Sequence, residues 1–292
     1  MPLFCRHNRL TQNCPICSRE LAAERRAATP ARPARTRSGA RGASAARRPA
    51  GVVTKRFARA ADDGYRNPLV PGLRATADAE RLAVALAWAD ARLEPPGPHP
   101  AVAAEPVQEE AFWLAFLLAL VPPGAHELHE AIVASRPGWE SDAAPDIPGA
   151  DPRTIPAYRA WAQRAGSQAE AFLGEPAWSP ERRFGRAFER LALPGLHRGA
   201  RYELLVTLAA AGVADLAADA LHVGKVDDAT TLAAKRLLVS GDTMLLERRA
   251  ADLVRAGGVR LGALDRGLAA WGEGEAVEHE APPAIRSALG LS

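Results

Sequence analysis

Apolar residues recur at helical spacing along most of the chain beyond about residue 76. In residues 76–93, Leu82, Leu86 and Leu93 fall on one helical face. Residues 105–121 begin with acidic side chains, which a helix dipole favours, and are then apolar nearly all round, so they are predicted to form a central core helix. Strand-like alternation is scarce, and the predicted fold class is therefore all-α. Further helices are predicted at about 153–173, 180–192, 198–211, 228–239, 243–256 and 261–271.

Composition divides the chain into four parts. Residues 1–20 hold all three cysteines, and residues 21–65 are rich in Ala, Arg, Pro, Ser and Gly with little apolar periodicity, which predicts a disordered basic linker. Residues 66–272 are predicted to form one helical domain, with Pro/Gly/Asp-rich loops inside it, and residues 273–292 a flexible tail.

The modest net charge of +3 conceals an uneven distribution. Residues 1–60 contain 14 Lys or Arg and 2 Asp or Glu, a net charge of +12, which leaves 23 basic and 32 acidic residues and a net charge of −9 for the rest. A flexible basic arm is typical of a polyanion tether, because each phosphate contact releases counterions without needing a fixed geometry. The alternative is a solvated linker whose arginines keep it soluble.

The three cysteines lie beside a histidine near the amino terminus. Cys5, His7, Cys14 and Cys17 supply three potential thiolates and one imidazole, and the two-residue gap in Cys14-Pro-Ile-Cys17 suits one tight turn around an ion. This pattern predicts a structural Zn²⁺ site; the alternatives are iron–sulfur ligation or a redox pair at Cys14 and Cys17.

The same region shows no signal peptide, and the chain shows no apolar run long enough to span a membrane. We therefore expect a reducing, cytoplasmic compartment, nucleoid association and no membrane partner.

The stretch Leu193-Pro-Gly-Leu-His-Arg-Gly-Ala-Arg201 lies between two predicted helices. It resembles the helix-hairpin-helix element of DNA repair glycosylases, which implies that backbone amides at the start of the second helix face a phosphate. The second glycine of that pattern is replaced here by a histidine, and a plain turn is the alternative. The implied phosphate-binding residues are Gly195, His197, Arg198, Gly199 and Arg201.

A second stretch, residues 226–238, places Asp227 and Asp228 at a helix start, with Lys235 and Arg236 two turns later. It resembles the segment of helix-hairpin-helix glycosylases in which a Val-Asp pair is followed by a basic residue and Leu. Helix capping alone is the alternative for the two carboxylates.

Four stretches of the chain resemble one protein family. They are residues 230–236, 240–253 and 264–271 and the amino-terminal Phe4-Cys-Arg-His-Asn-Arg-Leu-Thr-Gln-Asn-Cys-Pro-Ile-Cys17. The family that they resemble is the alpha-glutamyl/putrescinyl thymine pyrophosphorylases, clade 3. The resemblance implies a helix-hairpin-helix glycosylase-like fold. It also implies an activity on DNA in which an amine, from an amino acid or a polyamine, displaces pyrophosphate from a pyrophosphorylated 5-hydroxymethyl pyrimidine.

That chemistry requires a proton acceptor for the amine and cations for the departing pyrophosphate. The candidate catalytic residues are Asp227, Asp228, Lys235 and Arg236, with further phosphate contacts from Arg248 and Arg249 and a possible base-displacing wedge at His197. For Arg248 and Arg249 the alternative is a solvated helix face.

Two other function classes stay open. One is a DNA glycosylase or lyase that uses Asp227 against the glycosidic bond, and the other is a non-catalytic, zinc-anchored DNA-binding protein. Paired cations near the carboxylates would favour the transferase, and a deep apolar pocket with one aspartate would favour the glycosylase.

Overall fold

A computed structural model describes residues 60–224 and 228–291, all of which belong to one structural unit, Thr54–Ser292. These two ranges contain helices and no β-strand, which confirms the all-α prediction. The helices are α1 (Thr76–Ala91), α2 (Pro100–Ala103), α3 (Gln108–Ala119), α4 (His126–Ser135), α5 (Thr154–Ala165), α6 (Gln168–Leu173), α7 (Pro180–Arg190), α8 (Arg198–Ala210), α9 (Ala229–Leu238), α10 (Thr243–Gly257), α11 (Leu261–Glu273) and α12 (Pro283–Ala288).

The predicted helix at 153–173 is two helices. Gly166 ends α5 with φ 103°, a backbone conformation that favours glycine, and the Ser167 side chain then accepts a hydrogen bond from the amide of Glu170 at the start of α6. The short helices α2, α4 and α12 were not predicted, whereas the other predicted helices agree with the structure to within a few residues at each end.

Two hydrophobic clusters form the core. The first is built from residues 102–216 around α3, in which every residue from Ala111 to Ala119 is buried, as the apolar sequence of that helix predicts. Aromatic rings reinforce it, with Phe116 and Tyr158 stacked at 3.7 Å between ring centres.

The second cluster joins the two ends of the described chain. α1 contributes Leu82 and Leu86, and α9 to α12 contribute residues such as Leu237, Leu264 and Trp271. The described part of the chain therefore contributes first to the second cluster, then forms the first, and returns to the second through the segment after α8.

The segment 273–292, predicted as a flexible tail, differs from that prediction. Residues 283–288 form α12, Ile285 and Leu289 are buried in the second cluster, and the Asn67 side chain donates a hydrogen bond to the Ala288 carbonyl at 2.9 Å. The four-residue spacing of Ile285 and Leu289 puts both on one helical face, which explains the packing.

Among the described helices, none combines the length and the apolar character that crossing a lipid bilayer requires.

Candidate site at the α7–α8 turn and the start of α9

The turn that joins α7 to α8 is fixed against the start of α5. Gly195 has φ 75°, and a β-carbon at this position would lie 2.2 Å from Thr154 Oγ1, so only glycine fits. The Thr154 hydroxyl donates a hydrogen bond to the Pro194 carbonyl at 2.8 Å, and the Leu196 amide donates to the Leu193 carbonyl at 3.1 Å. Leu193-Pro194-Gly195 is thus a rigid turn with a defined exit into α8.

The amino end of α8 is open. His197 is exposed at the N-cap position and gives no side-chain hydrogen bond to the first turn, which contains no acidic residue. Around an ideal β-carbon at Gly199 there is no atom within 4 Å. No carboxylate caps the first-turn amides, and the Asp151 carboxylate, which lies beside the turn and interacts electrostatically with His197, is paired with Arg153.

Arg198 is directed inward, away from that open end. Its side chain is 8% exposed. The guanidinium donates from Nη2 to Asp265 Oδ1 at 2.6 Å and from Nη1 to the Leu221 carbonyl at 3.0 Å. Its Nε donates to Asp228 Oδ2. The guanidinium joins α8 to the following loop, to the start of α9 and to α11, so its donors are engaged within the protein. We call Arg198, Asp228 and Asp265 the Arg198 junction.

Asp228 caps α9. Its Oδ1 accepts the Thr231 amide at 2.7 Å while Oδ2 accepts from Arg198. Burial alone would raise the pKa of this carboxyl, but the Arg198 charge and the Thr231 hydrogen bonds outweigh burial and lower the pKa. Both oxygens are engaged, which favours the capping alternative for Asp228. Asp227 lies outside the described residues, in the gap at 225–227.

Asp265 is the second carboxylate of the junction, and sequence reasoning missed it. Burial raises the pKa of this group, and the nearby Asp228 charge adds to that effect, against the attraction of Arg198. The one available signal was a charged residue on the apolar side of the predicted 261–271 helix, next to Leu264 and Leu268. A buried carboxylate needs a partner, and Arg198 supplies it.

The loop after α8 carries a histidine in an unusual backbone conformation. His222 has φ 53°, its Nε2 lies 2.7 Å from Asp219 Oδ1, and its ring stacks on Phe188 at 4.2 Å with an interplanar angle of 15°. The Tyr202 hydroxyl donates to the Ala220 carbonyl at 3.1 Å, just ahead of it. Sequence reasoning singled out neither Asp219 nor His222.

Three of the four predicted cations, Lys235, Arg236 and Arg249, lie towards the far end of α9 from Asp228. Lys235 and Arg236 are half-buried in the last turn of α9, with the Arg236 guanidinium 5.0 Å from the Trp271 ring centre. At 1.5 Å per residue, Lys235 lies roughly 10 Å along the helix axis from Asp228. Arg249 donates to the Leu238 carbonyl at the end of α9, and Arg248 is exposed on α10.

Three exposed arginines run along α7. Arg182, Arg186 and Arg190 are spaced four residues apart on the face opposite the buried Phe184 and Phe188, and we call them the α7 arginine stripe.

The stripe is anchored by an aromatic ring and one acidic neighbour. The Trp178 ring centre lies 5.0 Å from the Arg182 guanidinium and 5.5 Å from that of Arg190, and Arg186 pairs with Glu189 at 3.0 Å. Arg201, on α8, instead covers the Phe188 ring at 4.3 Å and donates to the Phe188 carbonyl at 3.0 Å.

A cavity of about 400 Å³ lies between α8 and α11, with Phe184, Val206, Leu216 and Leu261 on its largely apolar wall. Neither Arg198 nor the two junction carboxylates line it. This cavity is therefore separate from the residues that sequence analysis selected.

The four predicted metal ligands, Cys5, His7, Cys14 and Cys17, lie outside the described residues. Within residues 60–224 and 228–291, no three His, Cys, Asp or Glu side chains are grouped so that they could hold a metal ion.

Comparisons of the chain with protein-family models, with curated proteins and with solved structures found no match in any of the three.

Proposed function

We propose that this protein acts on DNA as a base-modifying transferase, in which an amine displaces pyrophosphate from a pyrophosphorylated 5-hydroxymethyl pyrimidine. In this proposal α7, the Leu193-Pro194-Gly195 turn and α8 form a helix-hairpin-helix element that receives a DNA phosphate at the amino end of α8. The observation that carries it is the rigid turn and open helix end lying directly after the α7 arginine stripe.

The charge distribution supports contact with DNA on this face. The chain beyond residue 60 carries a net charge of −9, so three exposed arginines in one row form a local positive patch in an acidic body. Cation–π contact uses the faces of the Trp178 ring and leaves guanidinium N–H groups of Arg182 and Arg190 able to donate to phosphate. Such a surface would hold the DNA backbone while the basic arm adds affinity.

Within this proposal an exposed cation of α10 would meet the departing pyrophosphate. Arg248 is exposed and is the candidate that needs no rearrangement to reach a phosphate. Arg198, by contrast, holds the start of α9 in place, because its donors are taken by Asp228, Asp265 and a backbone carbonyl.

Zinc belongs to the same proposal. Three thiolates and one imidazole form a donor set that suits a tetrahedral, closed Zn²⁺ site, and such an ion would stabilise the amino-terminal module without entering the chemistry. Cys5, His7, Cys14 and Cys17 would hold it.

The test of the activity uses duplex DNA that carries a pyrophosphorylated 5-hydroxymethyl pyrimidine, with glutamate and putrescine as amines. We expect release of pyrophosphate and a nucleoside whose mass corresponds to the amine in place of the pyrophosphoryl group. Release of a free base or a strand break would replace the proposal by the glycosylase or lyase, and DNA binding without turnover would replace it by the non-catalytic binder.

The test of the surface is a triple variant, Arg182→Gln, Arg186→Gln and Arg190→Gln. If all three contact phosphates, the slope of log affinity against log salt should fall by about 2 to 3, since each contact contributes about 0.9. The matched control replaces Arg164 and Arg255, which are exposed elsewhere, and should leave the slope unchanged. An equal slope for both variants would remove α7 from the DNA-binding surface.

A further inference from the structure

His222 is held in a backbone conformation that a residue with a side chain seldom adopts. Its φ of 53° lies in the left-handed region, which is uncommon for residues other than glycine. Such a conformation persists where the surrounding structure determines it, and it is concentrated at functional sites.

The structure determines this conformation through the residues on either side. The Glu247 carboxylate accepts the Leu221 amide at 2.7 Å and the Val223 amide at 2.9 Å, one with each oxygen. The Arg198 guanidinium donates to the Leu221 carbonyl at 3.0 Å. Two charged side chains from α8 and α10 therefore fix the backbone around His222, and one of them belongs to the Arg198 junction.

The imidazole ring is oriented as closely as the backbone. Phe188 of α7 supports one face of the ring, and Nε2 lies 2.7 Å from Asp219 Oδ1. In the tautomer in which Nε2 donates to the Asp219 carboxylate, Nδ1 is the ring nitrogen that can accept a proton. The side chain remains 19% exposed, and no described residue forms a hydrogen bond with Nδ1.

The two carboxylates of the Arg198 junction are engaged. Asp228 uses both oxygens for Arg198 and Thr231, and Asp265 is buried beneath Arg198. Through the Leu221 carbonyl and Arg198, the His222 segment is joined to Asp228 at the start of α9, which belongs to the candidate site. The His222 ring itself stacks on Phe188, on the face of α7 opposite the arginine stripe.

We propose that His222 is the proton acceptor of this site and that Asp219 is its positioning residue. The inference rests on the proposed function for the identity of the reaction. The amine nitrogen forms a bond to the exocyclic methylene carbon of the base while the bond from that carbon to the pyrophosphate oxygen breaks. Pyrophosphate leaves with the bonding electrons, and the proton lost by the amine nitrogen passes to Nδ1 of His222.

The experiment uses the full-length protein with His222→Gly. Glycine adopts the left-handed backbone without strain and leaves a ring-sized space beside Phe188, which added imidazole can occupy. With the pyrophosphorylated DNA and putrescine, we expect kcat to fall by about 100-fold to 10,000-fold, the range for loss of a general base, while KM for DNA changes by less than about threefold. Imidazole should restore kcat by at least about tenfold in a concentration-dependent way.

Three further variants make the result specific. His222→Asn, a residue that also tolerates left-handed backbone, should show the same loss and serves if the glycine variant is unstable. Asp219→Asn should lower kcat by about tenfold with no response to imidazole, since the ring is still present but no longer held by a carboxylate. His279→Gly, on the exposed segment before α12, should match the wild-type protein with and without imidazole.

The outcomes separate the two proposals. If the wild-type protein releases no pyrophosphate, the proposed function fails and this inference fails with it. If the wild-type protein is active and the His222 variants keep its kcat, the inference alone is wrong. A folded His222→Gly variant that is inactive and does not respond to imidazole would also overturn it, because the ring would then serve packing only.

Discussion

Replacing Arg198 with methionine removes the cation that lies between Asp228 and Asp265. Methionine replaces the unbranched apolar part of the side chain but leaves Asp228 and Asp265 without the guanidinium between them, and leaves the Leu221 carbonyl without its donor. The variant therefore converts a satisfied junction into a buried pair of like charges.

The size of the effect follows from burial. The side chains of Arg198 and Asp265 are 8% and 9% exposed, and that of Asp228 is 27% exposed. Removing one partner of a buried ion pair lowers the free energy of unfolding by about 3–5 kcal/mol, because a charge stays buried without compensation. For a domain of this size that corresponds to a decrease in Tm of roughly 6 to 20 °C.

The effect should depend on pH. In the wild-type protein the pKa of Asp228 is lowered, so this group stabilises the fold above the ordinary Asp pKa, and that stability is lost as the pH falls through the lowered value. The pKa of Asp265 is raised, so this group lowers the stability of the fold as the pH rises. Without Arg198 the attraction that opposes burial is lost at both carboxylates, and the threonine hydrogen bonds alone remain against burial. Both pKa values should therefore rise relative to the wild-type protein, and both groups gain by being protonated. The stability gap between variant and wild type should therefore shrink from pH 7 towards pH 4.

The assay is thermal and urea unfolding followed by circular dichroism at several pH values. Arg186→Met is the matched control: its pair with Glu189 is exposed and should contribute less than about 1 kcal/mol. Adding Asp265→Leu to Arg198→Met should recover part of the loss, because an apolar pair can replace a buried ion pair. A loss below about 1 kcal/mol at pH 7, or a gap that widens on acidification, would refute the account of the junction.

Four further results are expected. Purified, reduced protein should carry about one zinc by elemental analysis, and Cys14→Ser should release it; metal-free protein would contradict the Cys3His assignment. Deleting residues 1–60 should weaken DNA affinity and reduce the slope of log affinity against log salt, and an unchanged slope would show that the helical unit makes the phosphate contacts. Asp227→Asn should fold with near-normal Tm and lose turnover, and full specific activity would remove Asp227 from the catalytic residues, because Asp228 already caps α9. Ile285→Ala should lower the free energy of unfolding by about 2–5 kcal/mol, and no change would show that α12 is not part of the core.

Helical periodicity predicted most of the fold because it is a local signal. α3 was placed at the centre of the core from its uninterrupted apolar sequence, and the structure buries that helix. The tail was predicted as flexible because its acidic residues and prolines mask a short apolar stripe. Ile285 and Leu289 become buried only because α1 and α10 present a surface for them, which local sequence does not reveal.

The site was less predictable because its contacts join distant residues. The Leu193-Pro194-Gly195 pattern located the turn correctly, but the direction of Arg198 depends on partners 30 and 67 residues further along the chain. His222 gave no sequence signal, since left-handed turns are normally marked by glycine or asparagine. Its conformation depends on Glu247 and Arg198, which arrive from separate helices.

The interleaving of the two clusters has a consequence for synthesis on the ribosome. The first cluster is continuous in sequence and can pack as soon as residue 216 has emerged, but the apolar face of α1 must wait for α11, about 170 residues later. At about 5–20 residues per second this delay lasts roughly 10 to 30 s, during which Leu82 and Leu86 have no native partner. Holdase chaperones should therefore bind nascent chains of this protein at α1, and release should coincide with the appearance of α11.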